Sequence, residues 1–232
     1  TGLVIHFFDV GQADSILVSV ADKHMLIDAG NNSDGNLIAQ YLTNNLKITS
    51  LDYVIGTHNH EDHIGGIPFL LQSVNIPFIY APNQASELIK MKLADKNIRY
   101  DNVITYQSDD VIRFKHFIVD FIRTTHSIPD SHGIRIKSPN GTVVTTGDFK
   151  FDFTPIGPMA DLHKMAQIGK EGVDLLVSDS TNALNEGVSI SESKVDEALN
   201  EIFDQHKLER IIIATFASNI YRLKHIVETC YN

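Results

Sequence analysis

The sequence has a single cysteine, Cys230, among its 232 residues, and it has no tryptophan. One cysteine cannot form a disulfide within the chain, so the fold must be held together by its core. Chains without disulfides are typical of reducing compartments, and we expect a cytoplasmic protein.

Basic residues are also few. The chain has 19 Lys and Arg against 29 Asp and Glu, which gives a net charge of −10 at pH 7. A surface that tracks nucleic-acid phosphates is usually basic, so this balance counts against a broad one. A local site for an anionic substrate remains compatible with the charge, because bound divalent cations reverse the sign of the field inside a pocket.

Long apolar runs are absent as well. No segment approaches the roughly 20 residues that cross a bilayer, so we expect no membrane span. Residues 1–6 show no basic stretch followed by an apolar one, and no signal peptide is predicted. With 43% hydrophobic and 21% charged residues, the composition is that of an ordinary globular domain.

Short β-rich runs come first and then alternate with helical patterns. Two β-rich layers covered by helices on the outside fit this order, which makes the fold class α/β (α+β). The sequence predicts a polar loop at 58–66, a helix at 67–74, a strand at 211–215, and helices that begin near Ser191 and Ile220. Ser191 is the expected N-cap of its helix.

The densest cluster of ionisable groups follows a predicted buried strand. It reads Thr57-His58-Asn59-His60-Glu61-Asp62-His63, with three imidazoles and two carboxylates close together. Imidazole and carboxylate are the ligands that zinc and similar cations take. In a curled loop, His58 and His60 can face one cation while Asp62 and His63 face a second. The alternative, a solvated polar loop, would mass these groups without a compensating charge.

This cluster has the form His-x-His-x-Asp-His and resembles the metal-binding motif of the metallo-β-lactamase superfamily. Three further segments resemble that superfamily's other motifs, in the same order: Leu26–Gly30, Thr125–Ser127 and Thr146–Asp148. Taken alone, Asp28, His126 and Asp148 would be ordinary loop or turn residues. Their joint order favours a metal centre.

The resemblance to this superfamily implies an αββα sandwich that holds two zinc ions, with Mn²⁺ or Mg²⁺ as alternatives. The implied metal ligands are His58, His60, Asp62, His63, His126 and Asp148. Asp148 would bridge the two cations, and Asp62 would also orient or accept a proton from the attacking water. Asp28 would support the metal loop from behind the ligands.

From His58 to Thr229 the chain resembles ribonuclease J, a family of the β-CASP branch that cuts RNA internally and degrades it from the 5′ end. The longest blocks that carry this resemblance are Thr124–Ser131, Thr146–Pro155 and His163–Val173. The resemblance implies that Asp179, within Ser178–Asn182, orients a metal-binding histidine. It also implies RNA or another phosphodiester as substrate, and a homo-oligomer.

The N-terminal part departs from the ribonuclease J pattern. Phe7–Leu17, with Asp-Val-Gly-Gln inside it, resembles the metallo-β-lactamase domain of ComEC-type competence proteins. The chain therefore reads as a mosaic with a seam between Asn31 and His58. In ribonuclease J the last histidine ligand of the second metal comes from beyond the β-CASP insert. The sequence ends before a matching residue, so the second metal site is expected to be incomplete.

These resemblances divide the chain into a metallo-β-lactamase domain, residues 1–210, and a closing strand and helix, residues 211–232, that resemble the start of a truncated β-CASP segment. The expected function is a metal-dependent phosphodiesterase or nuclease that uses a hydroxide shared by the two cations. Two alternatives stay open. One is another hydrolase on the same scaffold, such as a β-lactamase, lactonase, thioesterase or DNA nuclease. The other is a catalytically impaired metal-binding fragment.

Overall fold

A computed structural model describes residues 2–231 of the chain. The strands in these residues are β1 (Leu3–Phe7), β2 (Ile16–Val20), β3 (Lys23–Ile27), β4 (Tyr53–Ile55), β5 (Ile79–Ala81), β6 (Val103–Thr105), β7 (Val111–Arg113), β8 (Ile118–Arg123), β9 (His132–Ser138), β10 (Gly141–Thr145) and β11 (Leu175–Val177). The helices are α1 (Asp34–Gln40, continued by a π-helical turn, Tyr41–Asn45), α2 (Glu61–Ile64), α3 (Ile67–Leu70), α4 (Asn83–Asp95), α5 (Leu162–Glu171), α6 (Glu192–Gln205) and α7 (Ile220–Tyr231).

The strands form two sheets. The first runs in sequence order from β1 to β6, antiparallel from β1 to β3 and parallel from β3 to β6. The second has the order β11-β10-β9-β8-β7 and is antiparallel except for the parallel pair of β10 and β11. In both sheets, the strands that precede the polar loops therefore end at the same edge.

Side chains on both faces of the first sheet are buried, so this sheet lies between two other layers. In the β2 run Ile16-Leu17-Val18, Leu17 belongs to the core that includes residues of α1, α3 and α4, whereas Ile16 and Val18 belong to the core shared with the second sheet. This alternation follows from the two-residue period of a strand. On the far side, Ile122 and Val144 of the second sheet pack against Ile168 of α5. The predicted αββα sandwich is confirmed.

The loops that carry the predicted site residues leave the sheets at one edge. Asp28 follows β3, His58 follows β4, His126 follows β8 and Asp148 follows β10. The turn between β1 and β2 reaches the same edge, because β1 runs in the direction of β3. The carboxyl ends of strands are where open α/β sheets place their binding sites.

Several local predictions need correction. The predicted strand at 211–215 is wrong: this segment has no strand partner within residues 2–231, and Ile212 is 89% exposed. High β-propensity does not make a strand without a neighbour to pair with. The predicted helix at 67–74 is regular only over Ile67–Leu70, and the predicted loop at 58–66 contains the helical turn α2.

The C-terminal helices pack less deeply than the sandwich. Helices α6 and α7 have no fully buried residue among those described, although they contact each other. Ser191 caps α6 as predicted, since its hydroxyl accepts the Ser193 N–H at 3.3 Å. None of the helices within residues 2–231 is long and apolar enough to span a bilayer.

Candidate metal centre

The loop after β4 is clamped against the loop after β3. The N–H of Ala29 donates to the His63 carbonyl at 2.7 Å, and the N–H of Gly66 donates to the Gly30 carbonyl at 3.0 Å. At Gly66 the backbones come so close that an added Cβ would lie 2.0 Å from the Ala29 oxygen. Glycine at this position is therefore required for the loop to seat its histidines.

Four of the predicted ligands meet in a first metal group, His58, His60, His126 and Asp148. His58 Nε2 lies 3.2 Å from His60 Nδ1, which lies 3.3 Å from His126 Nε2. Asp148 Oδ2 lies 3.4 Å from His126 Nε2 and 3.7 Å from His58 Nε2. Ligands at about 2.0–2.1 Å from a tetrahedral zinc ion lie about 3.3 Å from one another, so this spacing fits one cation.

The other oxygen of Asp148 belongs to a second metal group, Asp14, His63 and Asp148. Asp148 Oδ1 lies 3.3 Å from His63 Nε2. The loop that carries Asp148 is held by two hydroxyls, since Thr124 and Ser131 donate to its carbonyl at 3.3 and 3.2 Å. Asp148 therefore faces both groups, one oxygen to each.

Asp28 and Thr57 orient two of the histidines from behind. Asp28, which is 1% exposed, contacts His63 Nδ1 at 2.8 Å and accepts the Thr57 hydroxyl at 2.7 Å. Because that hydroxyl gives its proton to Asp28, it accepts the proton of His58 Nδ1 at 2.9 Å. The hydrogen bonds thus assign the tautomers in which both Nε2 atoms point into the centre.

The first group favours neutral imidazoles. Burial lowers the pKa of His126 to about 4, and burial together with the neighbouring histidines lowers the pKa of His58 well below 6.5. Burial also lowers the pKa of His60. A neutral imidazole is the form that binds a metal, so these three side chains are ready to act as ligands at neutral pH.

The second group favours positive charge. Burial alone would lower the pKa of His63, but the carboxylates of Asp28 and Asp148 outweigh it and raise the pKa to about 11. Burial, followed by the charge of Asp28, raises the pKa of Asp14 to about 6. Burial opposes the ionisation of Asp148, yet contact with His63 lowers its pKa. The electrostatic field at the second group therefore favours a bound positive charge.

Two predicted residues lie beside these groups. Asp62 lines the same pocket as Asp14, His63 and Asp148, but its carboxylate belongs to neither group in the described part of the chain. Asp179 accepts from Thr181 N–H at 2.8 Å and lies 3.5 Å from the Phe149 N–H. No hydrogen bond joins Asp179 to a histidine within residues 2–231, so its predicted orienting role stays a prediction.

Sequence reasoning missed Asp14, which it treated as part of a turn. One signal could have indicated it. Asp14 ends the turn that follows β1, and this turn lies at the edge of the sheet where β3 ends. The donor sets fit metal ions in both groups, because imidazole nitrogens and carboxylate oxygens come together within ligand distance of one point.

Comparisons with known proteins agree with this architecture. The family model described as the metallo-beta-lactamase superfamily matches residues 8–197. A metallo-beta-lactamase from Cronobacter sakazakii, a mutant of its HARLDQ motif, superposes with a TM-score of 0.57 at 16% identity, over 87% of this chain and 96% of that one. At this identity the likeness concerns the fold alone.

Curated relatives are similar in sequence. Ribonuclease J of Mycoplasma pneumoniae is 42% identical over 177 residues, which cover 76% of this chain and 31% of that protein. Ribonuclease J 1 of Streptococcus pyogenes serotype M3 is 44% identical over 219 residues, 91% of this chain and 39% of that protein. The second alignment must run through the segment between Asn31 and His58, so the similarity is not confined to residues from His58 onward. The chain spans well under half the length of these relatives.

Proposed function

Because this chain belongs to the metallo-β-lactamase superfamily, we propose that it is a metal-dependent hydrolase of phosphodiesters, with RNA as its substrate. The observation that carries the proposal is the convergence of His58, His60, His126 and Asp148, whose second oxygen faces His63. The similarity to two ribonucleases J supports RNA as the substrate class. A cytoplasmic location and a homo-oligomer remain predictions from the sequence.

The first group would hold one cation, and His63, Asp62 and Asp148 would hold or border a second. We assign zinc to the first group because three of its four donors are imidazoles. Cations bound here would supply Lewis acidity to a phosphoryl oxygen and would make water nucleophilic near neutral pH. Their charge would also offset the acidic lining of the pocket for an anionic substrate.

The protein's own side chains would position the histidine ligands and deprotonate the attacking water. Asp28 and Thr57 hold the rings of His63 and His58 through their Nδ1 atoms, so that each Nε2 faces inward. Asp62 lies at the wall of the pocket that contains Asp148. From there its carboxylate would accept the proton of the attacking water as the phosphorus–oxygen bond forms.

Hydrolysis assays on three substrates test this proposal. We expect the metal-loaded chain to cleave 5′-phosphorylated single-stranded RNA faster than DNA of the same sequence, and not to cleave a chromogenic β-lactam. His60→Ala should reduce cleavage more than about 100-fold, because a ligand is lost. His163→Ala, at an exposed position on α5, is the matched control and should leave the rate unchanged.

The other outcomes each identify an alternative. Preferred cleavage of the β-lactam or of DNA would replace RNA with that substrate. Full metal loading without hydrolysis of any of the three substrates would refute the enzymatic proposal and favour a metal-binding fragment.

A further inference from the structure

The turn between β1 and β2 ends in a carboxylate that the sequence motifs leave without a role. We propose that Asp14 is a ligand of the second cation, together with His63 and Asp148. The cation would be a borderline divalent ion such as Zn²⁺ or Mn²⁺, which accept mixed imidazole and carboxylate donors. This inference rests on the proposed function only in that both concern the same metal centre.

The three donors already surround one point. One ligand atom each from Asp14, His63 and Asp148 lies within 4.8 Å of the other two. His63 Nδ1 is engaged by Asp28, so its Nε2 is the donor, and Asp148 contributes the oxygen that faces away from the first group. Two carboxylates and one imidazole are thus placed to share a cation, and each approaches it from a different loop.

The backbone of Asp14 is fixed where this geometry needs it. Its N–H donates to the Asp62 carbonyl at 3.3 Å, and its carbonyl accepts from the Gly30 N–H at 3.0 Å. The next residue, Ser15, donates its hydroxyl to the Asp28 carbonyl at 3.1 Å and is buried. The turn is therefore bound to both loops of the metal centre rather than lying free on the surface.

The surroundings of Asp14 contain several carboxylates and one positively charged group, the imidazole of His63. The pocket it lines also contains Asp62, Asp148 and Asp179, and no lysine or arginine contributes to the described lining. Within residues 2–231, no N–H or O–H group donates to the Asp14 carboxylate, although the residue is half-buried. Clustering carboxylates in this way is costly unless a cation is shared among them.

Metal stoichiometry tests the proposal without relying on hydrolysis. The protein is stripped with a chelator, titrated with Zn²⁺ and with Mn²⁺ by calorimetry, and analysed for bound metal after dialysis. We expect two equivalents in the parent and one in Asp14→Asn, a change that preserves shape and removes the charge. Asp9→Asn, an exposed change in the same turn, is the control and should keep two.

A variant that restores metal binding shows whether Asp14 acts as a ligand or only supports the fold of the turn. Asp14→His replaces the carboxylate with another donor, so it should recover the second equivalent of Zn²⁺. The proposal is overturned if Asp14→Asn keeps two equivalents at unchanged affinity, if the parent binds only one, or if Asp14→Asn loses both.

The two proposals can fail separately. If Asp14→Asn loses one equivalent while the parent cleaves no substrate, the ligand assignment stands and the hydrolase function fails. If the parent cleaves RNA and Asp14→Asn still binds two cations, the function stands and the ligand assignment fails.

Discussion

The two metal groups share Asp148 but differ in composition and in field. The first combines three imidazoles with one carboxylate, and the second combines one imidazole with two carboxylates. His58 of the first group has a pKa well below 6.5, whereas His63 of the second has a pKa of about 11. Both histidines are almost fully buried, so burial alone cannot explain the difference.

The difference in pKa comes from the charges around each ring, with Asp148 contributing at His63 and the group behind the ring differing between the two histidines. The Nδ1 of His58 contacts the neutral hydroxyl of Thr57, while the Nδ1 of His63 contacts the carboxylate of Asp28. A hydroxyl fixes a tautomer without adding charge, whereas a buried carboxylate also stabilises positive charge on the ring. Two histidines of one loop therefore differ in whether their surroundings favour the neutral or the protonated ring.

Removing the shared ligand should have the largest effect, because it affects both groups at once. We expect Asp148→Ala to lose most metal binding at both positions and to lower RNA cleavage more than about 100-fold. Elemental analysis and the cleavage rate measure this directly. Asp101→Ala, at an exposed loop position, is the control. Loss of only one equivalent would show that Asp148 serves one group rather than both.

The residues of the first group could be named from the sequence because each follows a strand end, and their role as metal ligands stays a prediction. His58 and His60 lie within a few residues of the end of β4, and the strand order brings His126 and Asp148 to the same edge. The sandwich was equally predictable, because residues such as Leu17 and Val18 alternate between two cores.

What sequence reasoning missed depends on tertiary contacts. Asp14 joins the centre only because its turn is bound to the loops of Asp62 and Gly30. The segment 211–215 has strand propensity but no neighbouring strand among the described residues. Helix α5 was not predicted from the sequence, although its N-cap is present: the Asp161 carboxylate accepts the Lys164 N–H at 2.9 Å.

Changing the carboxylate behind His63 should weaken the second group and spare the first. Asp28 has φ of +54°, a conformation that asparagine tolerates, so Asp28→Asn changes the charge with little backbone strain. We expect the second cation to bind about 10–100-fold more weakly, and the first within a few-fold of the parent. Competition titration with a metal-binding dye measures both affinities.

The exposed turn residue Asp22 provides the control for this change, as Asp22→Asn. Equal weakening of both cations in Asp28→Asn would mean that the carboxylate acts through the shape of the loop rather than through His63.

The smallest effect concerns the pH dependence of metal binding. With a pKa of about 11, His63 is protonated at pH 7 in the metal-free protein, and a cation must displace that proton. The affinity of the second group should therefore rise about tenfold for each pH unit above 7. His126, with a pKa of about 4, is already neutral, so the affinity of the first group should stay nearly constant.

Calorimetry at pH 7 in buffers of different ionisation enthalpy counts the protons released. We expect about one proton for the second cation and nearly none for the first. In Asp28→Asn the charge that raises the pKa of His63 is reduced, so the release on binding the second cation should fall below one. Equal release by both cations in the parent would contradict the distinction between a neutral group backed by Thr57 and a charged group backed by Asp28.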